Sequence, residues 1–411
     1  MKSSQEYLEN IQGVILLISY KSNYRPTLNE ILNIHPTIFL DLVEELKSTN
    51  DEFILEQIPS FLTVPTAKSR QSLIDSMGEI EGVKYFEKYF TDAAVQHLTT
   101  SNIDLPSKYQ NLTSYLIINA IKEQMLESCR ELNYKIDNFP IFASTRTDSF
   151  NAKAIRYIDI YPHIVLFEDE VFYFAHLLGK IIASCIPFHN GSFQFDEKPI
   201  KDYFIKDFSL IAKFAEFLIK TTATVSSRKV TPFNIPDENV ILQKSLTSGM
   251  EAFIMGHEMG HIIGGHLDKS DNRSLSYDDV AELVNPSWDL EFEADDIGLK
   301  LALHALKKVN FPDNLLLWGI DALLTYMHIV DEAKSIVNSE EELTYSLGSS
   351  HPPPFIRRER IREKYLEITQ NALGLKVANN ISHMLLDIWN ALKSQYLENY
   401  NRHKMEVNSR K

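Results

Sequence analysis

The sequence predicts a mainly α-helical fold with a small β-sheet, an α+β protein, and three observations carry that expectation. Apolar residues recur at helical spacing through most of the chain. β-formers gather in one place, with Ile155, Tyr157, Ile158, Ile160, Ile164 and Val165 within eleven positions. Helix punctuation is explicit near the C-terminal half, where Gly264-Gly265 supply a stop and His351-Pro352-Pro353-Pro354 a start.

The 411 residues are 44% hydrophobic and 11% aromatic, enough to bury a core and to form more than one domain. Three segments are expected: a helical block over 1–140, a second domain over 141–375, and a C-terminal helix with a basic tail over 376–411. In the first, helical periodicity runs through Ile38–Leu46, Phe53–Leu62, Val83–Leu98 and Tyr115–Leu132, divided by Pro36, Pro59, Pro65 and Pro106. One or two strands follow between about 153 and 167, with Pro162 suited to an edge or a turn. A core helix is expected over Glu170–Cys185, a turn at His189-Asn190-Gly191-Ser192, and a Thr/Ser/Pro linker over 221–240. Ser248 with Glu251 reads as a capping box opening the next helix, which ends at Gly264-Gly265. A polar loop covers Asp268–Pro286. Helices are then expected over Ser287–Lys308, Asp313–Val337, from the proline run at His351, and over about Ala378–Asn399.

Charge and cysteine content narrow the setting. A net charge of −15 without a basic stripe argues against binding a nucleic-acid backbone. Two cysteines, Cys129 and Cys185, and a polar start lacking a leader pattern point to free thiols and a cytoplasmic location. The most apolar runs, Val171–Phe188 and Leu315–Val330, contain His176 and Lys180, and Asp321 and His328. Both fall short of the ~20 clean apolar residues of a spanning helix, so no membrane-spanning segment is expected.

The chemistry concentrates in His257-Glu258-Met259-Gly260-His261. Residues i and i+4 share a helix face, so both imidazoles can reach one metal ion, and Glu258 can hold a water at the open position. Ala252, Phe253, Ile254, Met255, Ile262 and Ile263 make this helix apolar nearly all round, hence buried. In Leu290-Glu291-Phe292-Glu293-Ala294-Asp295 the carboxylates of Glu291 and Asp295 again share a face. Glu291 fits as third ligand and Asp295 as the group that orients a histidine through its free ring N–H. Glu293 points elsewhere and reads as solvent-facing or a minor contact. His266 falls one residue short of the H-E-x-x-H-x-x-G-x-x-H spacing and is not expected to be a ligand.

H-E-M-G-H, E-F-E-A-D-D-I-G and H-P-P-P-F-I-R-R together resemble the gluzincin metalloendopeptidases of the CAAX-prenyl-protease and HtpX type. Asn151-Ala152 resembles the Asn-Ala pair that opens an edge strand in that group. The resemblance covers about residues 145–370; a looser one joins the chain to soluble phage-exclusion peptidases of bacteria. It implies a zincin-like core, Zn²⁺ as cofactor, and hydrolysis of a protein or peptide substrate. His257, His261 and Glu291 would bind the ion and Glu258 act as general base. His351 is the candidate oxyanion donor, with Arg357 or Tyr345 behind it, or else a loop residue beside the prolines. Asn151, Ala152 and the strand after them would hold an extended substrate. Two other readings stand beside this one. The first is a bacterial defence or toxin protease triggered by a regulatory partner at the N-terminal helical block. The second is a non-catalytic zincin scaffold acting as a binding module.

Overall fold

The computed structural model describes residues 112–136, 139–145, 150–157, 160–204, 208–223, 230–231, 233–268, 288–338 and 351–409. Helix makes up 77% of this, with one three-stranded sheet and one two-stranded hairpin, so the chain is mainly α with a small β component. Within the expected N-terminal block only the last helix is described; the remainder, Tyr345 and most of the 268–286 loop lie outside the described residues. No helix among the described residues is long and apolar enough to cross a membrane.

The chain forms two compact units, each assembled from separated stretches. The first holds α1 (Leu112–Glu131), β1 (Ile141–Thr145), β2 (Ala152–Tyr157), β3 (Ile160–Glu168) and the start of α2 (Asp169–Cys185). It also takes the C-terminal half of α5 (Val240–Ile263) and all of α6 (Trp288–Lys308). The strand order is β1-β3-β2, with β3 parallel to β1 and antiparallel to β2. β3 takes the centre because Ile164-Val165-Leu166-Phe167 is apolar on both faces, and all four are buried. β1 and β2 are left as the edges, and the β2–β3 pairing is irregular between Ile155 and Tyr157. α1 lies on β1 and on α6, where Lys308 donates to Glu131 at 2.6 Å and His304 meets Ser128 Oγ at 3.0 Å.

The second unit contains the rest of α2, the hairpin β4 (Phe188–His189) and β5 (Ser192–Phe193), α3 (Glu197–Phe204) and α4 (Phe208–Thr222). The first half of α5, α7 (Asp313–Val337), α8 (Pro354–Thr369) and α9 (Ala372–Ser409) complete it. α7 is its axis: every residue from Asn314 to Tyr326 is buried, as an all-round apolar helix requires. Tyr326 stacks on Phe217 and meets Phe174 and Phe214 edge-on, and Trp318 Nε1 donates to the Gly374 carbonyl at 2.9 Å. Asp321 on α7 accepts from Nε and Nη2 of the Arg362 guanidinium and from Ser382.

Several boundaries differ from the sequence reading. α5 begins at Val240, directly after the 3-10 turn Asp237–Asn239 that follows Pro236, and not at Ser248. The Ser248/Glu251 pair sits in mid-helix, because Ile241, Leu242 and Leu246 are buried just as the residues after it are. β1, α3 and α4 lie in stretches to which the sequence reading assigned no element. α9 extends well beyond 378–399 at both ends. The stop at Gly264-Gly265 is as expected: α5 ends at Ile263 and Gly265 adopts φ 63°, a left-handed value that glycine reaches without strain.

Candidate metal centre

The centre forms where α5 and α6 cross within the first unit. The crossing is close because the residues at it are small. A Cβ placed on Gly256 would lie 2.6 Å from the Gly298 carbonyl oxygen, and one on Gly260 would lie 2.5 Å from that of Ala294. Backbone thus meets backbone, which brings Glu291 and Asp295 of α6 against the histidines of α5.

His257, His261 and Glu291 converge as three buried donors whose ligand atoms all lie within 4.8 Å of one another. The His257 and His261 Nε2 atoms are 3.2 Å apart; the first is 3.5 Å from Glu291 Oε2 and the second 3.5 Å from Glu291 Oε1. Tetrahedral donors about 2.0–2.1 Å from a shared ion would stand about 3.3–3.4 Å from each other, close to the spacing of the two imidazole nitrogens and of each from its nearer Glu291 oxygen. The proton arrangement agrees. His257 Nδ1 is 2.9 Å from Asp295 Oδ1, and a carboxylate only accepts, so Nδ1 carries the hydrogen and Nε2 presents a lone pair inward. The group could hold a metal ion.

The residues read from the sequence distribute as follows. His257, His261 and Glu291 come together as a group that could hold a metal ion, and Asp295 lies against His257 Nδ1. Glu258 is buried on the same helix. Asn151 is exposed just before β2, and its carbonyl accepts from the Glu168 backbone N–H at 2.9 Å, closing the start of the β2–β3 ladder. Ala152 opens β2, which packs on the 3-10 turn His266–Asp268 at the exit of α5. His351 and Arg357 belong to the second unit, His351 exposed ahead of α8 and Arg357 buried on it.

Two neighbours of the donors carry more than the sequence reading gave them. His266 is not among the donors, as expected. Its ring is buried with Nδ1 2.9 Å from His261 Nδ1, and Nε2 lies 3.1 Å from Glu293 Oε2. Glu293 is therefore half-exposed but engaged. The available signal was a histidine directly after a Gly-Gly helix stop, where the chain can fold back on its own last turn. Comparison of the chain with protein-family models, with curated proteins and with solved structures gave no match.

Proposed function

We propose that the chain is a zinc-dependent endopeptidase with a zincin-like core. The observation that carries this reading is the buried convergence of His257, His261 and the Glu291 carboxylate, with Glu258 next to His257 on the same helix. Two neutral imidazoles and one carboxylate form a borderline donor set that suits zinc and leaves a fourth position open. Bound there, the ion would polarise a peptide carbonyl and lower the pKa of its water toward ~7.

The chain's own residues supply the remaining work. Asp295 holds His257 in the tautomer that presents Nε2. The Glu258 carboxylate accepts the proton of the attacking water and returns it to the departing amine. The β2 edge, beside the turn that follows α5, offers main-chain groups for pairing with an extended peptide, with Asn151 and Ala152 at its start.

The test compares wild type with Glu258→Gln, which keeps size and hydrogen bonding but removes the base. Metal content is measured by mass spectrometry, and cleavage by sequencing new termini in an unfolded protein mixture. The expected result is about one zinc per chain in both proteins. New termini should form roughly 10²–10⁴-fold more slowly in the variant. Equal cleavage by both would remove peptide hydrolysis. Zinc binding with no cleavage by either would favour a metal-stabilised binding module.

A further inference from the structure

The two histidine donors are supported differently. His257 leans directly on a carboxylate, Asp295, at 2.9 Å. His261 Nδ1 leans on a second imidazole, His266, also at 2.9 Å, and that imidazole in turn reaches a carboxylate, Glu293, at 3.1 Å. A contact between two imidazole Nδ1 atoms is undirected in itself, since either ring can donate. The far end of the chain of bonds decides it. Glu293 only accepts, so a neutral His266 places its hydrogen on Nε2 and leaves Nδ1 as an acceptor. His261 must then donate from Nδ1, which frees Nε2 toward His257 and Glu291.

We propose that His266, directed by Glu293, is a positioning residue that fixes the ring orientation and tautomer of His261 for metal binding. This rests on the reading of His257, His261 and Glu291 as a metal site. The local chain is built around the contact. After α5 ends, the Gly264-Gly265 turn returns the chain so that residue 266 lies against residue 261, and a Cβ at Gly264 would collide with the His266 ring. The His266 side chain is fully buried at 0% exposure while Glu293 is 51% exposed, so the relay runs from the donor set to the protein surface. An imidazole buried only to fill space would not need a carboxylate aligned with its outer nitrogen.

The experiment uses the full chain and measures Zn²⁺ dissociation constants by competition with a chromophoric chelator, together with the visible spectrum of the Co²⁺-substituted protein. His266→Phe keeps a ring but no acceptor. His266→Asn is smaller but places Oδ1 near the position of Nδ1. Outer partners of metal ligands are worth about 10–100-fold in affinity. The expected order is therefore wild type, then His266→Asn close behind, then His266→Phe weaker by about that factor with an altered Co²⁺ spectrum. Glu293→Ala, at the surface and not at risk of misfolding, should weaken Zn²⁺ by less than His266→Phe but measurably. Phe tolerated better than Asn would mean that His266 fills space, and an unchanged constant in Glu293→Ala would remove the relay. Wild type that binds no Zn²⁺ would instead overturn the metal reading, and this inference with it.

Discussion

Asp321 and Glu291 are both buried carboxylates on long helices, one in each unit, and what faces them differs. Asp321 receives Arg362 in a two-pronged pairing, Nε to Oδ2 at 2.5 Å and Nη2 to Oδ1 at 2.9 Å. Burial still pushes the Asp321 carboxyl above its ordinary range, but the cation it needs belongs to the chain. Glu291 is faced by two imidazole nitrogens at 3.5 Å, one of them shown by Asp295 to present a lone pair. The first cluster is complete as folded and ties α7 to α8 and α9. The second gathers donors around a position where a cation fits. A buried ionic network that supplies its own counter-charge ties helices together; one that gathers three ligand-type side chains could also hold a metal ion.

The comparison breaks most sharply on metal content. His261→Ala should lose stoichiometric metal while the fold persists, and Arg362→Met should keep it. Metal analysis of both purified proteins checks this, and retained metal in His261→Ala would end the distinction. Stability should respond the other way. Arg362→Ala leaves Asp321 buried without its partner, a change that typically costs 3–5 kcal/mol. The lower end, about 3 kcal/mol, is expected because Ser382 still donates to Asp321 and burial already favours its neutral form. Urea unfolding measures it, and a value near zero would make the pair incidental. Asp295→Ala should fold normally and bind zinc about 10–100-fold more weakly. An unchanged dissociation constant would deprive Asp295 of its orienting role.

The smallest effect concerns a third kind of buried carboxylate. Burial pushes Glu251 on α5 up to about 8 from 4.5. Between those values the folded chain holds a proton that the unfolded chain has released, so this group's contribution to stability falls as pH rises across the window. Glu251→Gln should remove that slope and gain on wild type by on the order of 1–2 kcal/mol between pH 5 and 7. Lys244, pushed down to about 7, gives the opposite slope above that pH, and His176, pushed down to about 3, gives it below its ordinary 6.5; both are common to wild type and variant and cancel in the comparison. Parallel stability curves for wild type and variant would show Glu251 to be stabilised in its charged form.

The donor set was legible in the sequence because helical spacing does the geometric work: 257 and 261 share a face, as do 291 and 295, whatever surrounds them. The ends of elements were less legible. Ser248 and Glu251 carry the letters of a capping box, yet α5 is apolar before and after them, so nothing in the pattern reveals that the helix is already under way. α3 and α4 pass unassigned because their stretch was read without the tertiary partners that define their buried faces. The roles of His266 and Glu293 come from a chain reversal at Gly264-Gly265, which brings together residues 5 and 27 positions apart. No fixed spacing announces such a contact. His351 and Arg357 rested on resemblance alone, and their unit is distinct from that of the donors.

The glycines at the α5–α6 crossing have a consequence for how this protein can vary. The donor triangle inherits its size from a backbone-to-backbone contact, since even a methyl group at Gly256, Gly260 or Gly298 would stand 2.5–2.6 Å from main-chain atoms of the facing helix. An alanine there would push the helices apart and widen the gap between Glu291 and the histidines without altering any ligand. Tolerance of substitution at these three positions is thus coupled to whether the group could hold a metal ion. A change that chemistry would class as trivial becomes, through the spacing of two helices, a change in whether these three side chains still converge.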